Sequence, residues 1–553
     1  MSKKIVIIGA GYSGTLTAKY LSKDLKDEEY EITLIDKNPF HTMLTELHEV
    51  AAGRVEESSI RLNLKKIFAG RNVNVSMDTV TEIDFKTQKV KGSSNSYFYD
   101  YLVLSAGSRP NYFGIEGASE HTYSLWSYEA AVRLNERFQQ VFLKASKMTD
   151  AQERKKLLTF WVVGAGFSGV EMISELSEYV PVLCKKYHVE EQDVTLYNVD
   201  GLNRVVPVLS EALSQKAEKK LAHRGIKILL NQKVEKIEED SITLKACDPQ
   251  SVKNEGTYPA GTVIWTAGTQ SEVITKQASE VLESSRARIQ VDEYLRSTKD
   301  KKIYVVGDNM FFVPPNEERP VPQMVENCEQ SSHIAAHNII SELTGKSKLK
   351  EYKPAFHGVM VSIGSHDGVA SVGMSGHLFQ LSGFLAIAAK HFINIIYFLQ
   401  VLGFNKVAHY MKDEFFTIRN KRSCVGGHFS NRTASFFLVP LRVWVGLVWL
   451  LAGLSGASDI LGKTSSIAVL IFETILGIFL ITGFFTTISS IVSLIMFVVL
   501  TPCVSANVWM IFANIALMNK AGMILGLDYY VMPALNKLWQ KIPFIHKKYL
   551  YVD

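Results

Sequence analysis

Residues 4–14 read KIVIIGAGYSG, and this stretch decides the fold. Residues 4–8 form a short apolar run rich in β-branched side chains, the pattern of a strand buried on both faces. Gly9, Gly11 and Gly14 follow in the spacing GxGxxG, and a helical pattern then runs to about Leu25. In such a turn the first glycine allows the tight bend, the second lets backbone approach a pyrophosphate, and the third lets helix pack close to strand. The helix N-terminus, with Ser13 in its first turn, then turns unpaired N–H groups toward phosphate. A second strand is predicted at residues 32–35. It ends at Asp36, 22 residues after Gly14, where a carboxylate can accept hydrogen bonds from a ribose diol. Two lysines before an apolar run also open many secretory leaders. Here the run is too short and no small-residue cleavage site follows. The soluble part is therefore expected to stay cytoplasmic.

The same pattern recurs 155 residues later. A strand at residues 160–163 leads into Gly164, Gly166 and Gly169, and a later strand, 194–199, ends at Asp200. That acid stands 31 residues after Gly169, and the KKYHVEEQ segment is expected to absorb the excess. An acid here would repel a 2′-phosphate and favours NADH over NADPH, although nearby Arg204 works the other way. Two fingerprints, each in strand–turn–helix context, imply two dinucleotides, with NADH as donor and FAD as acceptor. Two further strand ends fit a flavin domain split in sequence. Residues 101–104 lead to Ala106 and Gly107. Residues 302–306 lead to Gly307 and Asp308, whose carboxylate suits ribityl hydroxyls. Residues 264–266 lead to Gly268, near the nicotinamide. The expected fold is α/β. Residues 1–114 and 301–374 form an FAD domain, and an NADH domain, 115–300, is inserted between them.

The composition agrees and excludes several classes. The chain has 553 residues, 47% of them hydrophobic and 21% charged. It is too long for a small disulfide scaffold and too apolar for a disordered chain. With 60 Lys+Arg against 55 Asp+Glu, it lacks the basic excess of a nucleic-acid binder. The five cysteines (184, 247, 328, 424 and 503) include no CxxC pair, so they give neither a disulfide framework nor a metal site. No cysteine precedes Cys184, which argues against disulfide-reductase chemistry beside the flavin. Sulfide:quinone oxidation needs paired cysteines, and only Cys184 and Cys328 keep that alternative open. A non-catalytic nucleotide-sensing membrane protein is the remaining competitor.

Charge thins out after about Arg432. Four apolar stretches follow, at about 436–453, 465–485, 486–503 and 508–527, each near the roughly 20 residues of a spanning helix. Arg419, Lys421, Arg422 and Arg432 precede them; Lys537, Lys541, Lys547 and Lys548 follow. The positive-inside rule then places both ends in the cytoplasm and predicts four spans. Residues 433–553 would form this four-helix transmembrane domain. Arg442 and Glu473 sit inside the stretches, either as a structural pair or interface anchors, or in binding a quinone head group or moving protons.

IVIIGAGYSG with LIDKNPFHTMLTELHEVAAG, LVLSAGSRPNYFGIEG, WVVGAGFSGVEMISEL and IYVVGDNMF together resemble the type II, non-pumping NADH:quinone oxidoreductases over roughly residues 4–416. The resemblance implies a membrane quinone of menaquinone type as acceptor, a bacterial cytoplasmic membrane location with the catalytic domains inside, and a homodimer. It also implies that Glu171 lies near the nicotinamide and the quinone face of the flavin. The family's AQxxxQ motif falls on Val325-Glu326 and Gln330, so Glu326 replaces a glutamine; Gln323 is a substitute donor. Residues 383–402 resemble the family's membrane-docking helix, within a quinone-entry region at 375–432. Lys390 there either snorkels or serves as a quinone-side proton donor. The C-terminal stretches resemble the DoxX-like four-helix membrane family.

Overall fold

The computed structural model describes residues 2–26, 29–250, 252–315, 317–374, 377–418, 422, 435–455, 467–500, 508–519 and 521–539. Cys424, Cys503, Arg419, Lys421, Arg432, Lys541, Lys547 and Lys548 lie outside these. The chain divides into two compact units, Met1–Ser430 and Asn431–Asp553.

The first unit holds two five-stranded parallel sheets of matching design. In one, Lys3–Ile8 pairs with Tyr30–Asp36 on one side and Tyr101–Leu104 on the other; Asn74–Met77 and Ile303–Val305 complete the edges. In the other, Thr159–Val163 is flanked by Thr195–Val199 and Thr262–Trp265, with Lys227–Leu229 and Thr122–Ser124 outside. Parallel strands buried on both faces read as apolar runs, and Ile5, Ile7, Phe160 and Trp161 are fully buried. The Ile303–Val305 strand returns to the first sheet after the whole second sheet has been laid down.

Each central strand runs through its glycines into a helix, Tyr12–Asp24 in one case and Phe167–Tyr187 in the other. The long gap before Asp200 is therefore absorbed mainly by helix. Lys185, Lys186 and Tyr187 belong to its last turn rather than to a loop, because nothing in that segment breaks the pattern before the left-handed His188 (φ 56°). A three-stranded antiparallel sheet, Gly358–Ser362, Gly368–Met374 and His377–Ser382, continues across residue 374. It feeds the apolar helix Phe384–Val401.

The second unit is helical. Leu438–Ser455 and Ile467–Thr482 pack closely where glycine replaces a side chain: a Cβ at Gly446 would meet the Gly477 carbonyl at 2.9 Å. Thr486–Leu500 and Trp509–Leu517 add Phe497, Met510 and Leu517 to a core around Trp449. The fourth predicted stretch is not one helix. It stops at Leu517, turns through Ala521–Met523, and a further helix covers Asp528–Trp539. Arg442 supplies the reason for that turn: its guanidinium donates to the carbonyls of Ala521 (2.6 Å), Ile524 (3.0 Å) and Leu525 (2.9 Å). Arg442 and Glu473 are thus not a pair. The buried Glu473 carboxyl finds no hydrogen-bond partner among the described residues. Two described helices are long and apolar enough to cross a membrane, Phe384–Val401 and Leu438–Ser455; Ile467–Thr482 and Thr486–Val498 are apolar but shorter.

Candidate functional site

Both glycine loops are shaped for a phosphate. Gly9 (φ 95°) and Gly164 (φ 104°) take backbone conformations that side chains rarely adopt. A Cβ at Gly14 would strike the Gly9 carbonyl, and one at Gly169 the Gly164 carbonyl. Gly11 and Gly166, by contrast, face open space, with no atom within 4 Å of where a Cβ would stand. Neither following helix has a side-chain cap on its first turn, so its amides remain available to an anion. Asp36 accepts the N–H groups of Ala10 (2.7 Å) and Asn38 (2.8 Å). Asp200 repeats this with Ala165 (2.6 Å) and Leu202 (2.8 Å). Each acid fixes its loop and keeps lone pairs for a ribose. Arg204 is turned away, donating to the Pro207 carbonyl at 2.6 Å.

The split strands meet at the first loop. Asp308 accepts the Ser108 hydroxyl at 2.6 Å, and burial raises its carboxyl above the ordinary range. Asn309 clamps Gly107 from both sides, at 2.9 and 2.7 Å. Gly307 leaves room for the Ser13 hydroxyl and the Cys328 thiol, which a Cβ would meet at 2.5 and 3.0 Å. Ala106 and Gly107 come just after the Tyr101–Leu104 strand, beyond Ser105, and a Cβ at Gly268 would strike the Phe113 ring. The residues present therefore fit the pyrophosphate and ribose of a dinucleotide at each loop.

The helix Phe384–Val401 carries an unexpected set of polar contacts. Its buried face presents Lys390, His391, Asn394 and Tyr397 inward, while Phe384, Leu385, Phe392 and Ile393 stand exposed on the other. Lys390 does not snorkel. Its ammonium lies 3.3 Å from Glu46, 3.2 Å from Glu49 and 3.5 Å from the Ser362 hydroxyl. Ser362 in turn donates its N–H (3.1 Å) and hydroxyl (2.9 Å) to Glu171. Burial favours neutral Lys390, but Glu46, Glu49 and Glu171 outweigh it and hold the ammonium charged. Burial, and then Glu49, raises Glu46 well above the carboxylate range, and burial raises Glu171. Burial lowers His48, wedged between Lys390 and Glu171, so its imidazole is neutral. Tyr397 hydrogen-bonds His41 at 2.8 Å, and the other His41 ring nitrogen meets the Ala10 carbonyl at 3.1 Å. The helix is thereby wired to the first glycine loop.

Glu171 is thus brought together with Lys390 through Ser362. Glu326 and Gln330 are placed elsewhere. Glu326 accepts the His357 N–H at 3.0 Å, and its other close partners are the His357 ring and Gln330. Gln330 spends its amide on the Ala355 N–H (3.0 Å) and carbonyl (2.7 Å). These two residues clamp the chain leading into the 358–362 strand. Gln323 is engaged with Thr269 and the Asp308 carbonyl, both at 3.3 Å. Sequence reasoning missed Glu46, His48, Glu49, Arg54, Glu175 and Glu414. Arg54 pairs with Glu49 and Glu414 and lies 3.1 Å from Glu175, all of them buried. The signal was present in LHEVAAGR, where two ionisable residues interrupt an apolar run. Cys184 and Cys328 are free and buried, and burial pushes the Cys184 thiol up to about 12. Neither has the thiolate character of a redox cysteine.

Residues 3–332 match the family model described as pyridine nucleotide-disulphide oxidoreductase. A protein of Staphylococcus aureus (strain bovine RF122 / ET3-1) named type II NADH:quinone oxidoreductase is 32% identical over 372 residues, 67% of this chain and 90% of that protein. The protein of that name from strain NCTC 8325 / PS 47 matches over the same shares. Among solved structures, NDH2 from Plasmodium falciparum in complex with NADH superposes with a TM-score of 0.68 at 18% identity, covering 75% of this chain and 97% of that one. The sulfide:quinone oxidoreductase of Aquifex aeolicus superposes with a TM-score of 0.59 at 20% identity, over 74% and 95%. At those identities the two structures speak for the fold.

Proposed function

The chain belongs to the pyridine nucleotide-disulphide oxidoreductases as a type II NADH:quinone oxidoreductase, and from that premise we propose how its residues divide the reaction. The overall change is NADH + H⁺ + quinone → NAD⁺ + quinol, with a menaquinone-type acceptor and no proton pumping. Bound FAD would supply the two-electron relay, accepting hydride from NADH and returning both electrons to the quinone. Gly9, Gly11, Ser13 and Gly14, with Asp36, Ala106, Gly107, Gly307 and Asp308, would hold FAD. Gly164, Gly166, Gly169, Asp200 and Gly268 would hold NADH. Residues 1–114 with 301–374, and 115–300, are the corresponding domains.

One observation carries the quinone half of this reading. The 384–401 helix is bare and apolar outside, while inside it sets Lys390 among Glu46, Glu49 and Glu171. Such a helix suits a bilayer surface and delivers a lipid-borne substrate to groups that hold protons. Lys390 would hydrogen-bond the quinone oxygen, and Glu171, whose carboxyl burial raises, would pass it a proton. Glu326 and Gln330 would then shape the wall and take no proton. The second unit would anchor the enzyme in a bacterial cytoplasmic membrane through four spans, with the catalytic unit on the cytoplasmic side.

Purified full-length protein carrying FAD should oxidise NADH with a menaquinone analogue and leave sulfide untouched. In sealed vesicles the same turnover should acidify nothing. Flavin that stays oxidised under anaerobic NADH would end the proposal.

A further inference from the structure

Near the end of the first unit one further arginine reaches the acids of the 167–187 helix. Arg422 is buried, with its guanidinium 2.7 Å from Glu175 and 2.9 Å from the Ala52 carbonyl. It lies across the Tyr179 ring, 5.5 Å from the centroid. Glu175 stands one helical turn beyond Glu171 and is fully buried. Its other oxygen faces Arg54 at 3.1 Å. Arg54 is the hub of the cluster, since Glu49 and Glu414 pair with it as well. Two guanidiniums therefore serve three buried carboxylates. Glu49, one of the three, is also a direct partner of Lys390. Without Arg422, Arg54 would be the remaining guanidinium for all three acids. A buried carboxylate that loses its partner draws the nearest cation or takes up a proton. Either response alters the charges around Glu49 and Lys390.

We propose that Arg422 is a positioning residue for quinone reduction: by neutralising Glu175 it leaves Arg54 to Glu49 and Glu414, and so fixes the charge set in which Lys390 and Glu171 work. The inference rests on the reading that Lys390 and Glu171 serve the quinone. It gives a side chain near the end of the first unit a part in setting the charge around Lys390.

Arg422→Ala, Arg422→Lys and Arg422→Ala/Glu175→Gln, each in the full chain, decide it. Stopped-flow flavin reduction by NADH should stay within about twofold of wild type in all three, and the quinone-dependent step should fall about tenfold in Arg422→Ala. The lysine should restore most of that step. So should the double variant, because a neutral amide needs no cation. Melting temperature should follow the same pattern, lowered in Arg422→Ala and raised again by Glu175→Gln. Wild-type quinone turnover in Arg422→Ala would overturn the proposal, as would a double variant as slow as the single. If Arg422→Ala does not fold, the double variant alone decides: recovery of the quinone step supports the proposal and its absence overturns it. Wild-type protein that fails to reduce a menaquinone analogue would instead refute the reading beneath it.

Discussion

The two nucleotide lobes are built to one plan and used differently. Both have a five-stranded parallel sheet, a glycine loop facing open space and an aspartate gripping the loop amides. They part company in the helix that follows. The 12–24 helix buries Thr15, Thr17 and Leu16 and no charge; the 167–187 helix is eight residues longer and carries Glu171, Glu175 and Glu178 along one face. Spacings of four and three residues place these acids on a single stripe. Each finds a partner from a distant segment: Ser362, Arg422 and Arg224 respectively. The shared plan holds a dinucleotide in either lobe. The acid stripe joins only the second helix to the cluster around Lys390.

The largest expected effects separate the lobes by their close-packed glycines. Gly14→Val drives a side chain into the Gly9 carbonyl and should yield protein purified without flavin. Gly169→Val does the same at Gly164, yet the protein should remain yellow and be reducible by dithionite, with NADH-driven reduction slowed about a hundredfold or more. Absorbance spectra and stopped-flow traces check both. Loss of flavin in both variants would show that the lobes are not separable.

Lys390→Met tests the asymmetry next. It strips the cation from Glu46, Glu49 and Glu171, and the quinone-dependent kcat should fall about a hundredfold. NADH oxidation with ferricyanide, which takes single electrons and no proton, should be little changed. An equal loss with both acceptors would place Lys390 in hydride transfer or in folding instead.

The lobes were legible in the sequence because their signal is local: strand, glycines, helix and acid fall within some forty residues. Asp36 and Asp200 each sit at a strand end and hold two amides of their own loop. The cluster was not legible because its members come from 46–54, 171–175, 362, 390 and 414–422. Only the tertiary fold brings them into contact. Lys390 shows the cost of reading one segment alone. A lysine in an apolar run suggests snorkelling until the carboxylates packed against its inner face are known. Arg442 misled similarly, since backbone carbonyls satisfy it and no side chain announces them.

A smaller effect concerns pH. Burial raises Glu414 from the usual carboxylate value to about 7, against the opposing pull of Arg54. The folded state therefore holds this proton more tightly than the unfolded one, so stability falls as pH rises from about 4.5 to 7. Glu414→Gln removes that dependence. The wild type should lose a few degrees more of melting temperature than the variant between about pH 5 and pH 8. Parallel curves would mean that the cluster takes its proton at another carboxyl.

The smallest effect returns to the second lobe. Beside Asp200, Arg204 looks in sequence like a residue that could welcome a 2′-phosphate and blur the choice of NADH over NADPH. Its guanidinium instead donates to the Pro207 carbonyl at 2.6 Å, three residues along its own loop. Asp200, with both oxygens on loop amides, is the charge that a 2′-phosphate would meet. Arg204→Ala should therefore leave the ratio of kcat/KM for NADH over NADPH within about twofold of wild type, the size of an ordinary surface change. Asp200→Ser should lower that ratio about tenfold, since a like-charge repulsion is removed and a hydroxyl can donate to phosphate. If Arg204→Ala instead sharpens the preference for NADH several-fold, the guanidinium leaves Pro207 when the dinucleotide arrives, and the second lobe is less rigid than the first.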